Sequence, residues 1–254
     1  MQKKSDFKNK TFLITGASSG IGKEIAQRLA KKGANLYLIG RNQERLQQIF
    51  TNCTEANPEG KYYTIRLDLE KEQEVKEAVL GMQNIDGVIL SSGKIEPFPA
   101  AFINQQKIDS MLHSNFYATV IITSLLLRYK KINNNSSLVF ISSVSSQFPH
   151  LGGTLYSASK AALEAYMRNI ALECADKKIR ANAILPGMVK TPLFDEAVEN
   201  SSEEVMKQHL EKYPLGVGYP SDVAHLCAFL LSSKSRWMTG NTLVLDGGLH
   251  LGKG

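Results

Sequence analysis

Two groups of residues in this 254-residue sequence have types and spacings suited to chemistry. The first is Tyr156 and Lys160, four positions apart in Tyr-Ser-Ala-Ser-Lys. On a helix an i, i+4 pair shares one face, where an ammonium can stabilise a phenolate and bring the tyrosine from its usual pKa of about 10 toward neutrality. A tyrosine so tuned gives or takes a proton. Ser142 and Ser143, shortly before Tyr156, are adjacent hydroxyls either of which could hydrogen-bond a substrate carbonyl or alcohol. The second group is Gly16-Ala-Ser-Ser-Gly-Ile-Gly22. Glycines at a strand-to-helix junction let backbone N–H groups and a helix N-terminus meet a pyrophosphate with no side chain in the way.

The elements that must position these groups follow from hydrophobic spacing. Thr11–Thr15 is a short apolar run, and Ile21, Ile25, Ala26, Leu29 and Ala30 then recur at helical intervals. Strands are predicted at 36–39, 62–67, 87–90, 137–141, 179–185 and 243–245, and helices at 43–50, 71–82, 108–129, 156–175 and 221–232. Alternating helices and strands that are apolar on both faces imply a single-domain α/β chain: a Rossmann-type, doubly wound parallel sheet of about seven strands. No Pro/Gly/Ser-rich linker divides residues 1–254, so one domain is expected. The excursion from Met188 to Gly218, carrying Asp195, Glu196, Glu199, Glu203 and Glu204, reads as a substrate lid.

Composition narrows the class of partner. With 43% hydrophobic and 21% charged residues the chain can bury a sizeable core. The longest apolar run, Thr119–Leu127, falls well short of the ~18 residues of a membrane span, and no membrane partner is expected. Of the net charge of +6, Lys3, Lys4, Lys8 and Lys10 against Asp6 place half in the first ten residues, so it gives no ground for nucleic-acid binding. Cys53, Cys174 and Cys227 are odd in number and lack C-x-x-C spacing, which suggests neither disulfides nor a metal site and points to a reducing cytoplasm.

Together, the glycine turn and the Tyr156/Lys160 pair resemble the short-chain dehydrogenase/reductase family, from about Lys10 to Asp246-Gly-Gly248. The resemblance implies a catalytic tetrad of Asn115, Ser143, Tyr156 and Lys160, in which Asn115 holds a water beside the lysine. It implies cofactor contacts at Gly16, Ser18, Ser19, Ile21, Gly22, Gly93, Tyr156 and Lys160. Pro186, Gly187, Val189 and Thr191 would hold the nicotinamide carboxamide, and Asp68 would meet the adenine unless it is merely a helix N-cap. Where the family usually has Asn-Ala-Gly after the fourth strand, this chain has Ser91-Ser-Gly93, without the strand-bridging asparagine. In length the resemblance is nearest to 3-oxoacyl-carrier-protein reductases, which commonly carry an arginine where Leu172 stands here.

Charge decides the expected cofactor form. A carboxylate after the second strand bonds the ribose 2′-hydroxyl of NAD and repels the 2′-phosphate of NADP. Gly40-Arg41 stands there instead, so NADP(H) is expected, with NAD(H) as the alternative. The expected reaction is hydride transfer between the nicotinamide and a carbonyl or secondary alcohol. Met188, Leu193, Phe194, Phe98, Phe148 and Leu151 favour a partly apolar small molecule, such as a 3-oxoacyl thioester, over a sugar. Sugar, polyol and steroid-type alcohol dehydrogenases are the alternatives, and a non-catalytic NADP sensor is another. A homotetramer is expected from the resemblance and from Leu163, Met167, Ile170, Val120, Ile121, Leu125 and Leu126, read as surplus apolar surface.

Overall fold

Seven strands with both faces covered by helices build a three-layer α/β sandwich in the computed structural model, which describes residues 6–199 and 203–252. The order along the chain is β1 (Thr11–Thr15), α1 (Gly20–Lys31), β2 (Asn35–Gly40), α2 (Gln43–Ala56), β3 (Tyr62–Arg66), α3 (Glu72–Gly81) and β4 (Ile85–Leu90). There follow α4 (Gln105–Leu112), α5 (Ala118–Arg128), β5 (Ile132–Ile141), α6 (Thr154–Glu173) and β6 (Arg180–Pro186). The chain finishes with α7 (Pro192–Glu199), α8 (Glu203–Leu210), α9 (Pro220–Leu231) and β7 (Thr242–Leu245). The sheet runs β3-β2-β1-β4-β5-β6-β7, and its strand pairs are parallel. Its order reverses between β1 and β4, which opens a crevice beyond their C-terminal ends.

The strands are apolar on both sides because both sides are buried. One core layer joins Leu13, Val88 and Phe140 to Val75, Leu126, Leu163 and Met167 from α3, α5 and α6. The other joins Phe12, Ile14 and Ile89 to Ile25, Leu46 and Val223 from α1, α2 and α9. Leu163, Met167, Ile170, Leu125 and Leu126 therefore belong to the interior of one chain, and Val120 and Ile121 are half-buried. They are not surplus surface; helical periodicity marks an apolar face without saying whether sheet or partner covers it.

The helix foreseen over 108–129 is two helices joined by a π-helical turn, His113–Tyr117. Residues Gln105–Arg128 are long and apolar enough to cross a membrane, yet Met111, Ala118, Ile122, Leu125 and Leu126 face the protein core. At the N-terminus Lys3 and Lys4 lie outside the described residues, Lys8 is exposed, and the Lys10 ammonium sits 3.0 Å from Asp86. The three cysteines are free and buried; burial pushes the Cys53 thiol up to about 12 and the Cys227 thiol higher still.

Candidate active site

Every sequence-predicted site residue except Asn115 and Gly22 lines one cleft of about 1620 Å³ at the C-terminal ends of the strands; those two lie directly behind its wall. The glycine turn forms its floor. Gly16 has φ +65°, and a Cβ there would stand 2.9 Å from the Ser91 carbonyl oxygen, so glycine lets the β1 turn pass against the end of β4. A Cβ on Gly22 would collide with the Gly16 carbonyl, which fixes how closely α1 follows the turn. Ser19 caps α1 without spending its side chain on the helix amides, leaving that N-terminus to face an anion. This cradle is open where side chains would otherwise fill it, and it fits a dinucleotide pyrophosphate.

β4 and β1 are joined by a residue that sequence reasoning missed. The Thr15 hydroxyl accepts from the amides of Ser91 at 3.1 Å and Ser92 at 3.2 Å, supplying the bridge that Ser91 and Ser92 could not provide as an asparagine would. Gly93 follows, and a Cβ there would come within 3.1 Å of Asn115 Oδ1 and 3.3 Å of Lys160 Nζ. Asn115 is fully buried in the π-helical turn. Its Oδ1 accepts from Lys94 N at 2.7 Å, and its Nδ2 donates to Lys94 O at 2.9 Å and Ser159 Oγ at 3.1 Å. The side chain thus ties the exit of β4 to α6. Spacing could identify Asn115 but could not show how its amide is spent.

Ser142 and Ser143 leave the end of β5 in opposite senses. Ser142 Oγ donates to Glu164 Oε1 at 2.7 Å and is thereby committed to α6. Ser143 accepts from the Ser145 amide at 3.2 Å, and its hydroxyl faces Tyr156. Lys160 is 4% exposed; its ammonium donates to the Ile141 carbonyl at 3.0 Å and stands 5.7 Å from the Tyr156 ring centre. Burial lowers the Lys160 pKa to about 8, with the Glu164 carboxylate opposing. Burial raises the Tyr156 pKa, partly offset by the Ser143 hydroxyl. Burial thus sets the direction at Tyr156, opposite to the lowering expected from the lysine.

Two further segments complete the walls. After β6, Gly187 passes so close to Asp246 and Tyr213 that a Cβ would come within 2.9 Å of either. Met188 N donates to the Tyr213 hydroxyl at 3.1 Å, and the ends of the 188–218 excursion are joined by Gly218 N to Met188 O at 3.0 Å and Lys190 N to Gly218 O at 2.9 Å. Thr191 packs over Gly20. Beyond β2, Arg41 lines the cleft together with Arg45, a second guanidinium that sequence reasoning missed. Asn42 caps α2 by accepting from Arg45 N at 2.8 Å, which sets Arg45 one turn into the helix on the cleft side. Asp68 lines the cleft and accepts from Glu70 N at 3.2 Å; α3 is capped by Lys71, so Asp68 is not its N-cap. Phe148, Leu151, Met188, Leu193 and Phe194 line the substrate end, joined by Met206 and Tyr213, whereas Phe98 packs beneath the Lys107 ammonium.

A parallel sheet with a glycine-rich anion cradle at its switch point, in one cleft with Ser143, Tyr156 and Lys160, defines a Rossmann-type oxidoreductase site. The family model described as enoyl-(acyl carrier protein) reductase matches residues 16–250. The chain is 33% identical over 252 residues to 3-oxoacyl-[acyl-carrier-protein] reductase FabG of Rickettsia prowazekii (strain Madrid E), covering 96% of this chain and 98% of that one. It is 30% identical to the 7alpha-hydroxysteroid dehydrogenase of Bacteroides fragilis, with 96% of each covered. Among solved structures, a short-chain type dehydrogenase/reductase from Mycobacterium ulcerans superposes with a TM-score of 0.88 at 27% identity, covering 98% of this chain and 92% of that one. The chain belongs to the short-chain dehydrogenase/reductase family, oxidoreductases that use a nicotinamide cofactor on CH–OH and C=O groups.

Proposed function

We propose that the chain is an NADP(H)-dependent oxidoreductase interconverting a carbonyl and a secondary alcohol on a partly apolar small molecule, with 3-oxoacyl thioesters the leading substrate class. The observation that carries this reading is the meeting of the Ser143 hydroxyl, Tyr156 and buried Lys160 at one end of the cleft that holds the glycine turn. Arg41 and Arg45 at the exit of β2 support NADP(H), because two guanidiniums suit a 2′-phosphate. The apolar side chains at the substrate end support an acyl or steroid-like substrate over a sugar.

When bound, the cofactor supplies or accepts the hydride. Gly16, Ser18, Ser19, Ile21 and Gly22 would hold its pyrophosphate, Asp68 its adenine, and Gly93, Pro186, Gly187, Val189 and Thr191 its nicotinamide end. Ser143 donates a hydrogen bond to the substrate oxygen and stabilises the charge that grows there. Tyr156 delivers the proton to that oxygen in reduction and removes it in oxidation. Lys160 supplies positive charge behind the phenol, and Asn115 fixes the strand exit against which the lysine rests. Residues 188–218 act as a lid whose ends are pinned together at Met188, Lys190 and Gly218.

A cytoplasmic, homotetrameric enzyme is part of the same reading. The three buried thiols suit a reducing compartment. β7 closes one edge of the sheet with all four residues only half-buried, and Trp237 nearby is 91% exposed, which leaves apolar surface for a partner copy. A panel of 3-oxoacyl thioesters, steroid ketones and sugars, followed by nicotinamide absorbance with NADPH and with NADH, tests the proposal. Turnover of the apolar ketones with NADPH supports it, and cofactor binding without turnover of any member would make the protein a sensor instead.

A further inference from the structure

Two segments that line the cleft carry basic groups the reaction does not use. The turn after Phe148 presents His150, and α8 with the residues following it presents His209 and Lys212. His150 is exposed and His209 half-buried, and each rests against a neighbour. The His150 ring lies against Gly153, in the space that a side chain there would occupy. The His209 ring stands edge-on to Tyr213 with centroids 5.7 Å apart, and Tyr213 is fixed by its bond from Met188 N. Lys212 and, less strongly, His150 lie near enough to His209 to oppose its protonation.

Among the described residues, no ion pair joins a carboxylate to His150, His209 or Lys212. Among the described residues that line the cleft, the acids are Asp68 and Glu70, beyond β3 at the far end. Of the other titratable groups packed around these segments, Tyr213 is a phenol and Asp246 is committed to the His250 ring at 2.9 Å and to two backbone amides. Glu204 on α8 accepts from Gln208, also on α8, at 2.9 Å. The same cleft is lined by the apolar side chains of Phe148, Met188 and Phe194. Such a cleft matches a molecule that is apolar around its reacting carbon and negatively charged at its other end.

We propose that His150, His209 and Lys212 form a binding site for an anionic group, a carboxylate or a phosphate, that the substrate carries away from its reacting carbonyl. This deepens the reductase reading and rests on it. A bound anion bonds to N–H groups of both imidazoles and to the lysine ammonium. Desolvation holds both imidazoles below the ordinary histidine range, with Lys212 and then His150 adding at His209, so an arriving anion draws protons onto them. Binding therefore takes up protons near neutral pH and weakens as pH rises.

Matched pairs of probes test the site: levulinate against methyl levulinate for a carboxylate, and acetoacetyl-coenzyme A against the acetoacetyl thioester of N-acetylcysteamine for phosphate. The charged member of at least one pair is expected to have the higher kcat/KM, by roughly ten- to a hundredfold at about pH 6, with the advantage shrinking toward about pH 8.5. The pair that responds names the source of the charge. H150Q combined with H209Q and K212M should collapse that ratio to about twofold or less, whereas a ratio that survives the substitutions overturns the site, as does equal use of both members of both pairs. Calorimetry of levulinate and coenzyme A binding in two buffers of different ionisation enthalpy provides a readout free of turnover. Proton uptake by either probe is expected; binding of neither, or binding without uptake, contradicts the inference. Anion binding with uptake in a protein that reduces no ketone would keep the site and remove the reductase reading.

Discussion

Ser142 and Ser143 are adjacent and chemically identical, and their neighbours separate their roles. Ser142 is bound to Glu164 behind the site, while Ser143 faces Tyr156. Ser143→Ala is therefore expected to lower kcat on the order of 10²-fold, the scale of losing an oxyanion donor. Ser142→Ala should cost much less in kcat and should show mainly as lost stability, about 1–3 kcal/mol for leaving the buried Glu164 oxygen without its donor. Steady-state kinetics and denaturant unfolding of the two variants check both halves. Lys160 makes a second prediction. Its folded-state pKa of about 8 lies below the ordinary lysine value, so the folded protein holds fewer protons than the unfolded chain between about pH 8 and pH 10.5. Stability from this group rises with pH through that window. The stability advantage of Lys160→Met over the parent, measured by urea unfolding, should accordingly shrink between pH 7 and pH 10; a constant difference would mean that the lysine is not desolvated.

At the level of elements, Gly16-Ala-Ser-Ser-Gly-Ile-Gly22 was legible because a glycine turn between an apolar run and a helical period admits few structures, and the positions of β1 and α1 follow it closely. Strand alternation likewise made the parallel sheet readable. What the sequence could not express was the use of side chains across elements. The Thr15 bridge between β1 and β4, and the amide of Asn115 between Lys94 and Ser159, join positions 76 and 44 residues apart. Nor could helical periodicity distinguish the sheet-facing side of α6 from an interface, which is why Leu163 and Met167 proved to be interior. Arg45 escaped notice because its place on the cleft beside Arg41 depends on where Asn42 starts α2. That pair carries the prediction of cofactor form. Arg41→Asp should move preference from NADPH toward NADH through lost attraction and added repulsion, and Arg45→Ala should weaken NADPH by roughly tenfold while sparing NADH. Fluorescence titration with both cofactors reads this directly, and equal affinity of the parent for the two would defeat the assignment.

For the whole molecule, the surface at the β7 edge and the cleft at the strand ends make separate demands. Trp237 at 91% exposure and Leu172 at 76% leave apolar area open in a single chain. Light scattering at micromolar concentration is expected to give the mass of four chains, and Trp237→Glu to lower it; a parent mass of one chain would refute the assembly. The site itself lies inside one chain, with its glycine turn, Ser143, Tyr156 and Lys160 around a common cleft, so its chemistry can be tested whatever the assembly. The most direct test is Tyr156→Phe, which removes one hydroxyl and keeps the ring. The account predicts loss of nearly all NADPH-dependent ketone reduction, on the order of 10²-fold or more, with NADPH affinity nearly unchanged. Turnover by the phenylalanine variant close to that of the parent would contradict it.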